Sequence, residues 1–77
     1  MTITIPNPIN AVKSAEIKRN AIDMIRAELH IVYRNRGKAR VRLYESRGND
    51  ENAAQALRDS IAMIKLGEET IERLKVA

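Results

Sequence analysis

The 77-residue chain contains no cysteine, no tryptophan and no phenylalanine, and only one histidine, His30. Without cysteine there is no disulfide staple, no thiolate metal ligand and no thiol nucleophile. A lone histidine does not build a zinc site. Tyr33 and Tyr44 are the only aromatics, a composition that suits aliphatic helix packing better than a small β-sandwich or barrel. No apolar run approaches the ~20 residues of a membrane span. The segment Met1-Thr2-Ile3-Thr4-Ile5-Pro6 has neither the basic nor the apolar region of a signal peptide. These absences lead to the expectation of a cytoplasmic protein (host cytoplasm if viral) with no membrane partner, no cofactor and no metal.

What is present is aliphatic and charged. Apolar residues make up 44% of the chain and charged residues 31%, too apolar for a disordered polyampholyte. The length allows one domain, residues 1–77. A domain this small buries only roughly 60% of its unfolded surface and needs a further source of stability. With disulfides and metals set aside, regular helix packing and self-association remain.

Hydrophobic spacing then divides the chain. Residues 1–7 read as an arm, or as a short edge strand at 2–5 that needs a partner. Asn7-Pro8 is a helix start, with Asn as cap and Pro in the first turn. Ser14 offers a second, later start. Ile22, Ile25, Leu29 and Val32 recur at steps of three and four, which is one helix face. The first helix is expected over 8–46, with a break near Gly37 as an option. Residues 38–44 are ambiguous: Ala39, Val41 and Leu43 alternate like a strand, while Ala39 and Leu43 also continue the helical heptad. Ser46-Arg47-Gly48-Asn49-Asp50 reads as a turn. Asn49 or Asp50 caps a second helix over 49–76, with Leu57, Ile61, Ile64, Ile71 and Leu74 as its apolar face. Ser60 and Gly67 fall on that face and allow close approach. Glu69 and Arg73 are spaced for an ion pair.

The expected fold is therefore an all-α antiparallel helical hairpin; the alternative is α+β, with strands at 2–5 and 38–44. Met24, Met63 and Leu66 lie beside the main stripes, so each helix carries more apolar surface than one seam hides. That surplus implies a homo-oligomer, such as a dimeric four-helix bundle.

The sequence offers no catalytic constellation, and a non-enzymatic protein is expected. Glu68, Glu69 and Glu72 read as a solvated face, and His30 as a surface residue. The basic segment stands apart. Arg34, Arg36, Lys38, Arg40, Arg42 and Arg47 face one acid, Glu45, across residues 34–47. That stretch is +5 and the rest of the chain −1, which together give the net +4. Such a patch attracts phosphate, by counterion release on a polymer or by forked hydrogen bonds to a small anion. On a continuous helix Arg34, Lys38 and Arg42 form one solvated stripe, whereas Arg36 and Arg40 fall within the apolar stripe. A buried, unpaired guanidinium is costly. Either the helix fails there, or those two arginines meet an anionic partner. Tyr33 and Tyr44 bracket the cluster and could stack bases. The candidate ligand-binding set is thus Tyr33, Arg34, Arg36, Lys38, Arg40, Arg42 and Tyr44, for nucleic acid or a nucleotide. The alternative partner is a protein with an acidic surface, regulated or inhibited by the bundle.

The size, absence of cysteine and hairpin plan look like small accessory proteins of bacteriophages. Within that group, Leu57-Arg58-Asp59-Ser60-Ile61-Ala62-Met63 resembles the second helix of phage cyclic-nucleotide sponges. That resemblance implies an oligomeric hairpin that sequesters a host signalling nucleotide. It covers about a tenth of the chain, and Ile3-Thr4-Ile5-Pro6 stands where the family's aromatic and basic N-terminal motif is expected. No residue role follows from it.

Overall fold

A computed structural model describes residues 8–76. They form two α-helices, α1 (Pro8–Glu45) and α2 (Glu51–Val76), packed on each other as a helical hairpin. No strand occurs among the described residues. The possible strand at 2–5 and the cap at Asn7 lie outside them.

Helix α1 begins at Pro8, where a missing N–H costs nothing. It is therefore already helical at Ser14, and that residue starts nothing. Residues 38–44 are helical, which corrects the strand alternative, and Gly37 does not break α1. The physical reason lies at the true end of the helix, where the last carbonyls find donors. The Gly48 amide donates to the Leu43 carbonyl at 2.8 Å, and the Arg47 amide to that of Tyr44 at 3.0 Å. These two bonds make a Schellman ending. Arg47 (φ 54°) and Gly48 (φ 83°) both take left-handed backbone there.

The turn is then closed by side chains. The Ser46 hydroxyl donates to the Leu43 carbonyl and accepts from the Asp50 amide, each at 3.0 Å. Of the two cap candidates, Asp50 fills the role: its Oδ1 accepts from the Ala53 amide at 2.9 Å. Glu51 in the first turn of α2, and Arg73 and Lys75 in the last, have the signs that the helix dipole favours.

Leu29, Val32, Ile64 and Ile71 form the buried cluster, with Ile22 and Ile25 packed against it. Nearer the turn the buried residues are small: Ala39, Ala53 and Ser60. The Ser60 hydroxyl is satisfied by the Ala56 carbonyl at 2.7 Å. Gly67 marks the closest approach. A Cβ there would sit 2.7 Å from Leu29 Cδ2 and 3.1 Å from its Cγ, so no side chain fits without displacing Leu29. This contact fixes the antiparallel register. Counted by heptads toward the turn from that contact, Arg36 falls at the level of Ser60 and Leu43 at the level of Ala53.

Two expectations for α2 change. Ile61 is exposed rather than part of the seam, because the seam runs through Ala53, Leu57, Ser60, Ile64, Gly67 and Ile71. Glu69 and Arg73 form no ion pair; the close pair on that helix is Lys75 with Glu72, at 3.2 Å.

The molecule is a rod of 70 × 18 × 15 Å. With Leu29 over Gly67, the end of α2 at Val76 reaches the level of about residue 20 on α1. The first dozen residues of α1 therefore run on alone, for roughly 18 Å at 1.5 Å per residue.

Candidate functional site

The basic segment occupies the last three turns of α1 and the turn that follows it. Arg34, Lys38 and Arg42 are exposed and, with Gly37 and Val41, line a shallow, open concavity on α1; Lys38 and Arg42 also border a groove between the helices, with Ser60 and Met63 of α2. Their four-residue spacing sets successive cations about 6 Å apart along the helix. Gly37 leaves bare backbone in the middle of this surface, and a Cβ added there would meet nothing within 4 Å. Packing therefore does not require glycine at 37, although glycine inside a helix costs about 1 kcal/mol.

Arg42 is tied down: its Nη2 donates to Asp50 Oδ2 at 3.1 Å. The Asp50 carboxyl is held below its ordinary value of 3.8. The largest cause is the hydrogen bond from the Ala53 amide; burial opposes it, and the Arg42 guanidinium adds to it. Among the described residues Arg34, Lys38, Arg40 and Arg47 have no acid within ion-pairing distance. They are free to meet an anion from outside.

For Arg36 and Arg40 the first of the two expected outcomes, a failed helix, does not occur. The helix continues, yet neither guanidinium is buried. Ala39 and Leu43 hold the seam, and Arg40 stands in solvent. Arg36 is half-buried with its guanidinium 5.4 Å from the Tyr33 ring centroid, a cation–π contact. A long side chain at the edge of a narrow two-helix seam reaches water without a partner.

The structure also separates the two tyrosines from the stripe. By helical spacing Tyr33, Arg36, Arg40 and Tyr44 follow one line, at steps of three and four, beside the line of Arg34, Lys38 and Arg42. The Tyr33 hydroxyl donates to Glu68 Oε1 of α2 at 3.0 Å. That hydrogen bond is the main cause of its raised pKa, followed by burial and the Glu68 charge, while Arg36 pulls the other way. Its ring also meets His30 edge-on at 6.4 Å. Tyr33 thus belongs to the helix–helix contact, at a groove also lined by Arg26, His30, Glu72 and Lys75. Tyr44 is 85% exposed.

Arg34, Lys38 and Arg42 are therefore the candidates brought together on one open surface. Sequence reasoning offered Asp50 as one of two possible caps but missed its second role as partner of Arg42. Spacing alone gave no sign of that pair, because it spans the turn. The Tyr33–Glu68 contact is 35 residues apart and was equally hidden. Among the described residues no three His, Asp or Glu side chains gather into a metal-binding group, and no helix is long and apolar enough to cross a membrane.

Compared with known proteins, the chain matches no family model, no curated protein and no solved structure.

Proposed function

We propose that this hairpin is a non-enzymatic binding protein that holds a nucleic-acid backbone along the Arg34, Lys38 and Arg42 stripe of α1. The observation that carries this reading is the exposed stripe of Arg34, Lys38 and Arg42, whose first two cations lack an acidic partner in the fold. A polymer suits it better than a free nucleotide. Small-ligand sites are concave and cover most of the ligand, whereas this surface is shallow and open. One strand of a B-form duplex carries a phosphate for every ~3.4 Å of duplex axis, a regular repeat of charge that a row of cations can follow. Among the described residues only Gly37 and Val41 join the three cations in lining the stripe, so recognition rests on charge and is indifferent to sequence.

The test is binding of a labelled duplex and a labelled single strand, followed by fluorescence anisotropy between about 50 and about 200 mM salt. Affinity is expected to fall steeply with salt. The double variant Arg34→Ala/Lys38→Ala is expected to weaken binding and to reduce the logarithmic salt slope by about 2, close to one for each phosphate that is no longer neutralised. Binding that ignores both salt and the double variant would sink the reading. Val41, exposed within the stripe, favours a second reading, an acidic protein surface with an apolar contact at its centre. In that case a partner protein is retained by the wild type after nuclease treatment, and the nucleic acid does not bind.

A further inference from the structure

The two broad sides of the hairpin differ in kind. One carries Arg26, His30, Tyr33, Glu68 and Glu72. The other is a groove between the helices lined by Glu28, Leu29, Val32, Met63, Leu66 and Thr70. Met24 and Ile31 flank Glu28 on α1, four residues before it and three after, so they rise along the same side. Met24, Ile31, Met63 and Leu66 are each more than half exposed. Ile17, one heptad before Met24, is exposed as well and extends the line past the end of α2. The opposite flank also carries exposed aliphatic residues, Ile61 one heptad before Glu68 and Val76 beside Glu68 and Glu72, but sets them among charged side chains.

We infer that a second copy of this chain covers the Met24/Ile31/Met63/Leu66 face, giving a two-fold, four-helix dimer. The area supports that occupant. The chain exposes 6491 Å², whereas a compact protein of its mass exposes about 4,700 Å². About 1,800 Å² per chain is therefore in excess, part of it on the stretch of α1 that runs on past α2. A stable dimer of standard size hides about 800 Å² per partner. Two-fold pairing also needs no second kind of surface, because the same patch serves both copies.

Charge sets the orientation. Residues 34–60, the turn half, hold seven cations and four acids, a net +3, while the rest of the chain holds +1. Parallel pairing would stack the two turn halves side by side. Antiparallel pairing sends them to opposite ends of the bundle, and we assign that arrangement.

Molar mass of the full chain by light scattering is the first readout. The wild type is expected at two chains, with a thermal midpoint that rises with protein concentration. Met63→Glu/Leu66→Glu is expected at one chain, and Ile61→Glu, on the other flank, at two. Because a separated hairpin could unfold, a second measurement uses the absence of native cysteine. The sole thiol of Leu66→Cys is expected to react with a maleimide more slowly than that of Glu72→Cys, and to lose this protection on dilution. A wild type that stays at one chain up to high concentration overturns the proposal. So does a mass above two chains, a dimer lost with Ile61→Glu instead, or equal reactivity of the two thiols at every concentration.

Discussion

The two halves of the hairpin are held by different means. Away from the turn, Leu29, Val32, Ile64 and Ile71 bury branched aliphatic side chains in one cluster. Toward the turn the buried residues are Ala39, Ala53 and Ser60, and the Ser46 and Asp50 hydrogen bonds lock the connection. Hydrophobic stabilisation scales with apolar area, at about 25 cal/mol per Å². The distal half therefore rests mainly on burial, the turn half more on close backbone approach and polar closure. That difference explains where the charge sits. A thin seam lets Arg36 and Arg40 escape to water, so cations gather along 34–42 without entering the core.

Truncation in the distal half gives the largest expected effect. Ile64→Ala should cost roughly 3 kcal/mol, read from denaturant unfolding with its slope unchanged. The turn half should respond to the opposite change. Ala53→Leu overfills a fully buried position and should cost about 2 kcal/mol. If Ala53→Leu were neutral, the turn half would not be close-packed and the contrast would fail.

The two helical glycines sharpen the same comparison. Gly67→Ala gains helix propensity but drives a Cβ into Leu29 at 2.7 Å, for a net loss of about 1 kcal/mol. Gly37→Ala meets nothing and should stabilise by about 0.5–1 kcal/mol. Opposite signs in thermal melts are the expected result.

The smallest effect concerns the turn. Asp50→Ala removes the α2 cap and the Arg42 partner and should lower the melting midpoint modestly near neutral pH. The pH dependence has a defined sign. The carboxyl is held below its ordinary 3.8 in the fold, so its contribution is complete above that value. It is lost as pH falls through the lower, folded value. Wild type and Asp50→Ala should therefore converge in acid.

Much of the fold was legible in the heptad. Ile22, Ile25, Leu29 and Val32 on α1, and Ile64 and Ile71 on α2, announced two facing stripes, and Gly67 announced the close approach. Residues 38–44 left a strand alternative open, because basic and aliphatic residues alternate there and satisfy a two-residue and a 3.5-residue period alike; the helix, the first reading, is what forms. The optional break at Gly37 belonged to that alternative and does not occur, while the real stop shows only in the bonding pattern at Arg47 and Gly48. Of the candidate site, the stripe of Arg34, Lys38 and Arg42 followed from spacing alone. The positions of Arg36 and Tyr33 did not, since each is set by a neighbour that only the folded chain supplies.

The closed turn between Ser46 and Asp50 has a kinetic consequence. Leu29 and Gly67 meet across 38 residues, a separation that is entropically unfavourable to close in one step. Once the turn holds Leu43 near Ala53, each further heptad extends an existing pairing instead of opening a new loop. The chain can thus fold as a zipper from its charged end toward its aliphatic end. On this view Asp50→Ala slows folding, whereas Ile64→Ala chiefly speeds unfolding.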